Sequence, residues 1–152
     1  MEKKELLLSL PSGASLSLGG RPLIMGILNL TPDSFYPGSR LTDLKAAIET
    51  AERMIQEGAE LLDLGGESTR PGSDYVDAEE EKRRVLPVLE ALRRETNLPI
   101  SVDTRKAEVA KAAIAAGADI INDVTALRDD PDLVKVVKDS GAGVIQIGRA
   151  HV

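Results

Sequence analysis

Leu62-Asp63-Leu64-Gly65-Gly66-Glu67-Ser68-Thr69-Arg70-Pro71-Gly72 is the stretch from which the fold of this chain can be read. A short apolar run ends in an acid and a glycine pair, then passes into a loop carrying a carboxylate, two hydroxyls, a guanidinium and a proline. Core packing has no use for that combination. In parallel α/β folds, ligands gather beyond the C-terminal ends of the strands, where such loops emerge. A similar junction recurs at 23–40, 99–106 and 118–126. Four polar strand ends imply one shared site.

Working outward, β-like runs alternate with helical patterns. Strands are expected at Leu23–Leu28, Glu60–Leu64, Pro99–Val102, Asp119–Val124 and Gly143–Ile147. Between them, 42–57 has apolar residues at 44, 47, 48, 51, 54 and 55, the spacing of one helix face. Asp77–Glu95 reads as a helix with Asp77 as N-cap and Glu80 at N3. Pro87 inside it should bend or break it. Lys106–Ala116 and Pro131–Ser140 complete the helical set. Gly58-Ala59, Gly117-Ala118 and Gly141-Ala142 each close a helix before a strand, and glycine there can adopt the left-handed conformation. Regular βα alternation predicts parallel strands with right-handed crossovers. Residues 5–18 alternate around Pro11-Ser12-Gly13 and read as a preliminary β-hairpin plugging one end of the sheet.

The bulk properties narrow the function. With 152 residues, 42% of them hydrophobic, the chain can bury one core. A net charge of −6 argues against a nucleic-acid partner, which needs a basic face. Aromatic residues are only 2%, which disfavours stacking platforms for single strands. The lack of cysteine excludes disulfides, thiolate catalysis and a Cys-based zinc site. No apolar run reaches about 18 residues, and the N-terminus lacks a convincing signal peptide. No membrane association is expected, and the default compartment is the cytoplasm.

Each strand end offers candidate chemistry. Asn29 ends the first strand, and its amide could bind a hard cation or an anion. Equally, Asn29 and Asp33 could cap a turn around Pro32. Phe35, the only Phe, either tucks into the core or covers a ligand. Asp63 ends the second strand, and Gly65-Gly66 lets backbone approach a ligand. Arg70 suits a phosphate or carboxylate, or pairs on the surface with Glu67 or Asp74. Asp103 could accept two hydrogen bonds from the guanidine-like edge of a 2-amino-pyrimidinone, or cap the next helix with Thr104. Asn122 lies level with Asp103. Phosphate-loop, Rossmann, HExxH and GxSxG motifs are absent. His151, the only histidine, has no evident catalytic partner.

Met25-Gly-Ile-Leu-Asn-Leu-Thr-Pro-Asp-Ser-Phe35, Asp63–Gly72, Ser101-Val-Asp-Thr104 and Ile120-Ile-Asn-Asp-Val124 together closely resemble the dihydropteroate synthase family, the sulfonamide target of folate biosynthesis. The resemblance runs from about residue 20 to 145. It implies a TIM (β/α)₈ barrel. The implied reaction condenses 6-hydroxymethyl-7,8-dihydropterin pyrophosphate with p-aminobenzoate, giving dihydropteroate and pyrophosphate. On this resemblance Asn29 would hold Mg²⁺ and the pyrophosphate. Asp103 and Asn122 would bond the pterin ring, with Asp63 supporting them. Thr69, Arg70 and Pro71 would serve p-aminobenzoate and the leaving group. Asp33, Ser34 and Phe35 would belong to a first loop that closes over the site. Asp33 and Arg70 are the expected catalytic residues. Mg²⁺ is the implied cofactor, and the family implies a homodimer.

A complete (β/α)₈ barrel needs about 250 residues, and the alternation here yields only five βα-type strands. The later Asp-Pro-Gly loop, Ser-Arg-Lys motif and terminal Arg-x-His of the family have no counterparts. The expectation is therefore one partial barrel domain over 1–152, with hairpin 1–20 and an atypical tail 146–152, inactive or nearly so by itself. Alternatives are a pterin-binding methyltransferase module, which Ser68-Thr69-Arg70-Pro71 disfavours, and a non-catalytic fragment.

Overall fold

The computed structural model describes residues 5–32, 40–68 and 72–146. The hairpin forms as expected, with β1 (Leu6–Ser9) antiparallel to β2 (Ser15–Leu18). Five strands follow: β3 (Met25–Asn29), β4 (Leu61–Gly65), β5 (Ile100–Asp103), β6 (Ile120–Asp123) and β7 (Gly143–Gln146). They make one parallel sheet in the order β3-β4-β5-β6-β7. Each strand lies beside its predecessor and the order never reverses, which is the winding of a barrel rather than of a doubly wound sheet. The connections are α1 (Arg40–Gln56), α2 (Ala78–Glu95), α3 (Ala107–Ala115) and α4 (Asp132–Ser140).

The two faces of the sheet have separate tasks. Alternation sends Leu28, Leu62, Leu64, Ile100, Val102 and Ile121 toward the helices, where they form the main core. Ala47 and Ala51 of α1 are buried there, with Leu44, Ile48, Met54 and Ile55 packed against them, as the helical spacing predicts. Burying side chains of this size contributes roughly 1.5–3 kcal/mol each. The opposite face is packed by the hairpin at its N-terminal end. There Leu61 and Ile120 pack with Leu10 and Leu16 of the hairpin. The hairpin therefore plugs the bottom of the sheet and leaves the strand C-termini open.

Asp119, immediately before β6, fastens that plug. It is fully buried, and its Oδ1 accepts from Ser12 N at 3.0 Å. Its Oδ2 accepts from Ile100 N at 3.1 Å and from Arg93 Nη2 at 3.2 Å. One carboxylate thus joins the hairpin turn, the start of β5 and the end of α2.

Of the bend or break expected at Pro87, the break does not occur, since α2 runs uninterrupted from Ala78 to Glu95. Pro87 is exposed, so the carbonyl that loses its helical partner faces water. Buried Val85, Val88, Leu89 and Leu92 hold the helix to the sheet on either side. Asp77 caps α2 as expected, accepting from Glu80 N at 2.8 Å. Strand boundaries differ from the sequence reading by one or two residues, and β3, β4 and β5 each run one residue further, to Asn29, Gly65 and Asp103.

Candidate functional site

Register brings the strand-end polar residues to one level. Asn29 pairs with Gly65, Gly65 with Asp103, and Asp103 with Asn122. One step lower, Asp63 pairs with Ser101. By alternation all of these share the face turned away from the helices. Gly65 leaves a notch in the row. A Cβ there would lie 3.8 Å from Asp103 Cβ and 4.0 Å from Asn29 Oδ1. Glycine thus leaves the space between Asn29 and Asp103 free for a ligand.

The row is charged and only partly satisfied. Asp63 is 3% exposed, and its Oδ1 accepts from Ser101 Oγ at 2.7 Å. The Asn122 amide nitrogen stands 3.5 and 3.4 Å from the two Asp63 oxygens. Burial raises the Asp63 carboxyl above its ordinary range, and the bonds from Ser101 and Asn122 oppose that rise. Asn122 Oδ1 is buried with no hydrogen-bond partner among the described residues. A buried unpaired acceptor costs roughly 1–3 kcal/mol, so this oxygen favours a ligand that brings an N–H or O–H.

Asp103 is the most perturbed acid of the row. Burial first, then the charges of Asp63, Glu81, Asp123 and Glu67, push its carboxyl up to about 7. Among the described residues nothing donates a hydrogen bond to it. The capping role that the sequence left open is taken by others. Asp130 Oδ2 accepts from Ala107 N at 2.7 Å, and Thr104 Oγ1 accepts from Lys106 N at 3.2 Å. Asp103 is left facing the open end of the sheet.

This has a consequence for stability. The Asp103 carboxyl holds its proton up to about pH 7 in the folded chain but ionises near 3.8 in the unfolded one. Between those values the folded state binds the extra proton, so this group makes stability fall as pH rises. Asp103→Asn should therefore match the wild type near about pH 4 and exceed it near about pH 8 in urea midpoint. An equal difference at both pH values would contradict the assignment.

The neighbouring Asp123 does turn chemistry instead. Its Oδ1 accepts from Thr125 N and Oγ1, both at 2.8 Å, and its Oδ2 from Leu127 N at 2.8 Å. It steadies a loop in which Ala126 and Leu127 adopt φ of 56° and 62°. Such left-handed backbone costs about 1–2 kcal/mol per non-glycine residue. The structure thus separates Asn122, which faces the site, from Asp123, which holds the rim.

Asp33, Ser34, Phe35, Thr69, Arg70, Pro71 and His151 lie outside the described residues. Glu67, offered above as a partner for Arg70, is held by Arg105 Nη2 at 2.9 Å and Lys106 Nζ at 2.6 Å. Sequence reasoning missed Lys106, Glu81 and Asp130, whose partners are distant along the chain. Only the placement of Lys106 and Arg105 directly after the Asp103 strand end hinted at them.

Among the described residues no group of three His, Cys, Asp or Glu side chains could enclose a metal ion. Asn29 is exposed at its strand end, across the Gly65 notch from Asp103. That donor set does not make a closed cage. It fits Mg²⁺, which is held by one or two protein oxygens, waters and substrate phosphates. No helix among the described residues is long and apolar enough to cross a membrane.

The fold is shared with known proteins. The family model described as pterin binding enzyme matches residues 25–148. Xanthomonas albilineans dihydropteroate synthase, solved with 4-aminobenzoic acid, is 51% identical, with a TM-score of 0.86 over 93% of this chain and 50% of that one. Burkholderia cenocepacia dihydropteroate synthase, complexed with 7,8-dihydropteroate, is 44% identical, with a TM-score of 0.77 over 94% of this chain and 47% of that one. The curated dihydropteroate synthase of Synechocystis sp. is 45% identical over 137 residues, 90% of this chain and 47% of its own length. The chain spans about half the length of the curated relatives it matches. The match spans all five parallel strands, β3 to β7, and the helices between them, and the chain belongs to the pterin binding enzyme family.

Proposed function

We propose that this chain carries the pterin-recognising half of a dihydropteroate synthase. The reaction joins 6-hydroxymethyl-7,8-dihydropterin pyrophosphate to p-aminobenzoate. The amine nitrogen bonds to the pterin methylene carbon, the carbon–oxygen bond breaks, and its electron pair leaves with pyrophosphate. The observation that carries the reading is the pairing of an unbonded Asp103 carboxylate with the orphaned Asn122 oxygen at one level of the sheet. A carboxylate accepts both hydrogen bonds of a 2-amino-pyrimidinone edge. Asn122 Oδ1 accepts a further ring N–H, and Asp63 fixes the Asn122 amide from below.

Asn29 is the proposed Mg²⁺ ligand, shared with the pyrophosphate. When bound, Mg²⁺ neutralises charge on the departing phosphates. Thr69, Arg70 and Pro71 are proposed to receive p-aminobenzoate and the leaving group, and Asp33, Ser34 and Phe35 to close over the pterin. Residues 1–152 are proposed as one partial barrel domain acting in the cytoplasm, within an enzyme that forms a homodimer.

By itself the chain should turn over poorly, because it presents one wall of the pocket. Pyrophosphate release from the two substrates with Mg²⁺ should be far slower for residues 1–152 than for the Synechocystis enzyme assayed beside it. Equal turnover would overturn the need for further barrel units. Absence of pterin pyrophosphate binding in isothermal titration would overturn the pterin reading.

A further inference from the structure

Beneath the β4–α2 loop lies an ion cluster that the proposed reaction does not use. Lys106, at the N-cap position of α3, donates from one ammonium to Glu67 Oε2 at 2.6 Å and Glu81 Oε2 at 2.7 Å. Glu67 opens the β4–α2 loop, and Glu81 sits in the first turn of α2. One nitrogen therefore ties three elements together. The Glu81 side chain is 0% exposed, and those of Lys106 and Glu67 are 11% and 10% exposed.

The backbone ahead of α2 returns to this cluster. Glu67 Oε1 accepts from Val76 N at 3.2 Å, and Ser73 Oγ donates to Ser68 O at 2.6 Å. Arg105 grips Glu67 from the solvent side while also binding Asp129, and the Tyr75 ring lies 4.8 Å from Lys106 Nζ and 5.3 Å from Arg105 Cζ. Buried ion pairs are often replaceable by apolar residues at no cost in stability. What two carboxylates on one ammonium do supply is a fixed position for Glu67. Without Lys106, Glu67 loses the ammonium that ties it to α2 and α3 and keeps only the solvent-side grip of Arg105, so it swings outward.

We propose that Lys106 is a positioning residue that fixes Glu67, and through it Val76 ahead of α2, at the rim of the site. Its relevance to catalysis rests on the pterin reading above. Lys106 also bears on Asp103 indirectly, through the acids it pairs with. Four acids face Asp103: Asp63 from β4, Glu67 from the loop, Glu81 from α2 and Asp123 from β6. Lys106 neutralises two of these, Glu67 and Glu81. Its loss leaves the Asp103 carboxyl harder to ionise, so the pH at which pterin binding develops moves upward.

Amide hydrogen exchange at Val76 tests the positioning without any ligand. Lys106→Met should lower Val76 protection by roughly tenfold or more, while Lys106→Arg retains it within about threefold. Arg105→Met, which removes only the solvent-side partner, should have the smaller effect. Because Lys106→Met strands two buried carboxylates, Lys106→Met/Glu81→Leu serves as a second variant that restores global stability. Val76 protection that stays low in this double variant upholds the proposal; protection that recovers with stability overturns it. Unchanged Val76 protection in folded Lys106→Met also overturns it. Titration with 6-hydroxymethylpterin from about pH 6 to about pH 9 keeps the two readings apart. An upward shift of the binding midpoint in Lys106→Met supports both. Lost Val76 protection with no pterin binding in any variant upholds the positioning of Glu67 and overturns the pterin reading.

Discussion

Asp103→Asn should weaken binding of 6-hydroxymethylpterin by roughly 10- to 100-fold, since each hydrogen bond to a charged group is worth about 1.5–3 kcal/mol. The substitution keeps the shape of the side chain and one acceptor oxygen. It replaces the other acceptor with an N–H that opposes the ligand's own donors. Burial of the site enlarges the effect, because an unpaired donor there cannot turn to water. The pH dependence has a definite sign. The Asp103 carboxyl is held up to about 7, and the ligand needs it ionised. Wild-type affinity should rise as pH increases through 7, and the Asn variant should lose that rise. Isothermal titration at about pH 6 and about pH 8 measures both effects. Unchanged affinity, or the same pH slope in the variant, would count against Asp103 as the pterin acceptor.

The largest loss of stability is expected at the other end of the strands. Asp119→Ala should cost about 3–5 kcal/mol, the usual penalty for removing one partner of a buried charge pair. The carboxylate is fully buried and serves Ser12 N, Ile100 N and Arg93 Nη2. Its removal takes the partner from Ser12 N and Ile100 N and leaves Arg93 Nη2 only its bond to Leu98 O, beside an Arg93 Nε that already has no partner among the described residues. Domains of this kind have only about 5–15 kcal/mol to lose. The variant should therefore unfold at much lower urea, and its hairpin amides should exchange before the sheet does. A cost below about 1 kcal/mol would mean that Leu10 and Leu16 dock the hairpin through apolar contact alone.

These two acids show what a sequence can and cannot reveal. Asp103 was legible because strand-end position is a local property. An apolar run followed by an acid marks the rim of a parallel sheet, and register then sets Asn29, Gly65, Asp103 and Asn122 at one level. The stripe of α1, the Asp77 cap and the hairpin were legible for the same reason, since 3.6-residue and two-residue periods are written in consecutive residues. Asp119 read only as the start of a strand, because its partners lie at Ser12, Arg93 and Ile100. Lys106 and Glu81 escaped likewise, being joined only when α3 meets α2. At the start of α3, Thr104 bonds Lys106 N as a local candidate could, while Ala107 N is taken by Asp130 from 23 residues along the chain rather than by Asp103. At Pro87 the helix continues without a break, because the residues on either side of it are anchored in the core.

The central claim is that the row formed by Asn29, Gly65, Asp103 and Asn122 receives a pterin. Heteronuclear NMR of the chain titrated with 6-hydroxymethylpterin tests it most directly, since weak binding to one wall of a pocket still moves resonances. The Asn122 side-chain amide and the backbone amides of Gly65 and Asp103 should shift together and saturably, while those of Ser12 and Asp119 at the plugged end stay in place. Shifts confined to the helical face, or a silent Asn122 amide at saturating ligand, would contradict it.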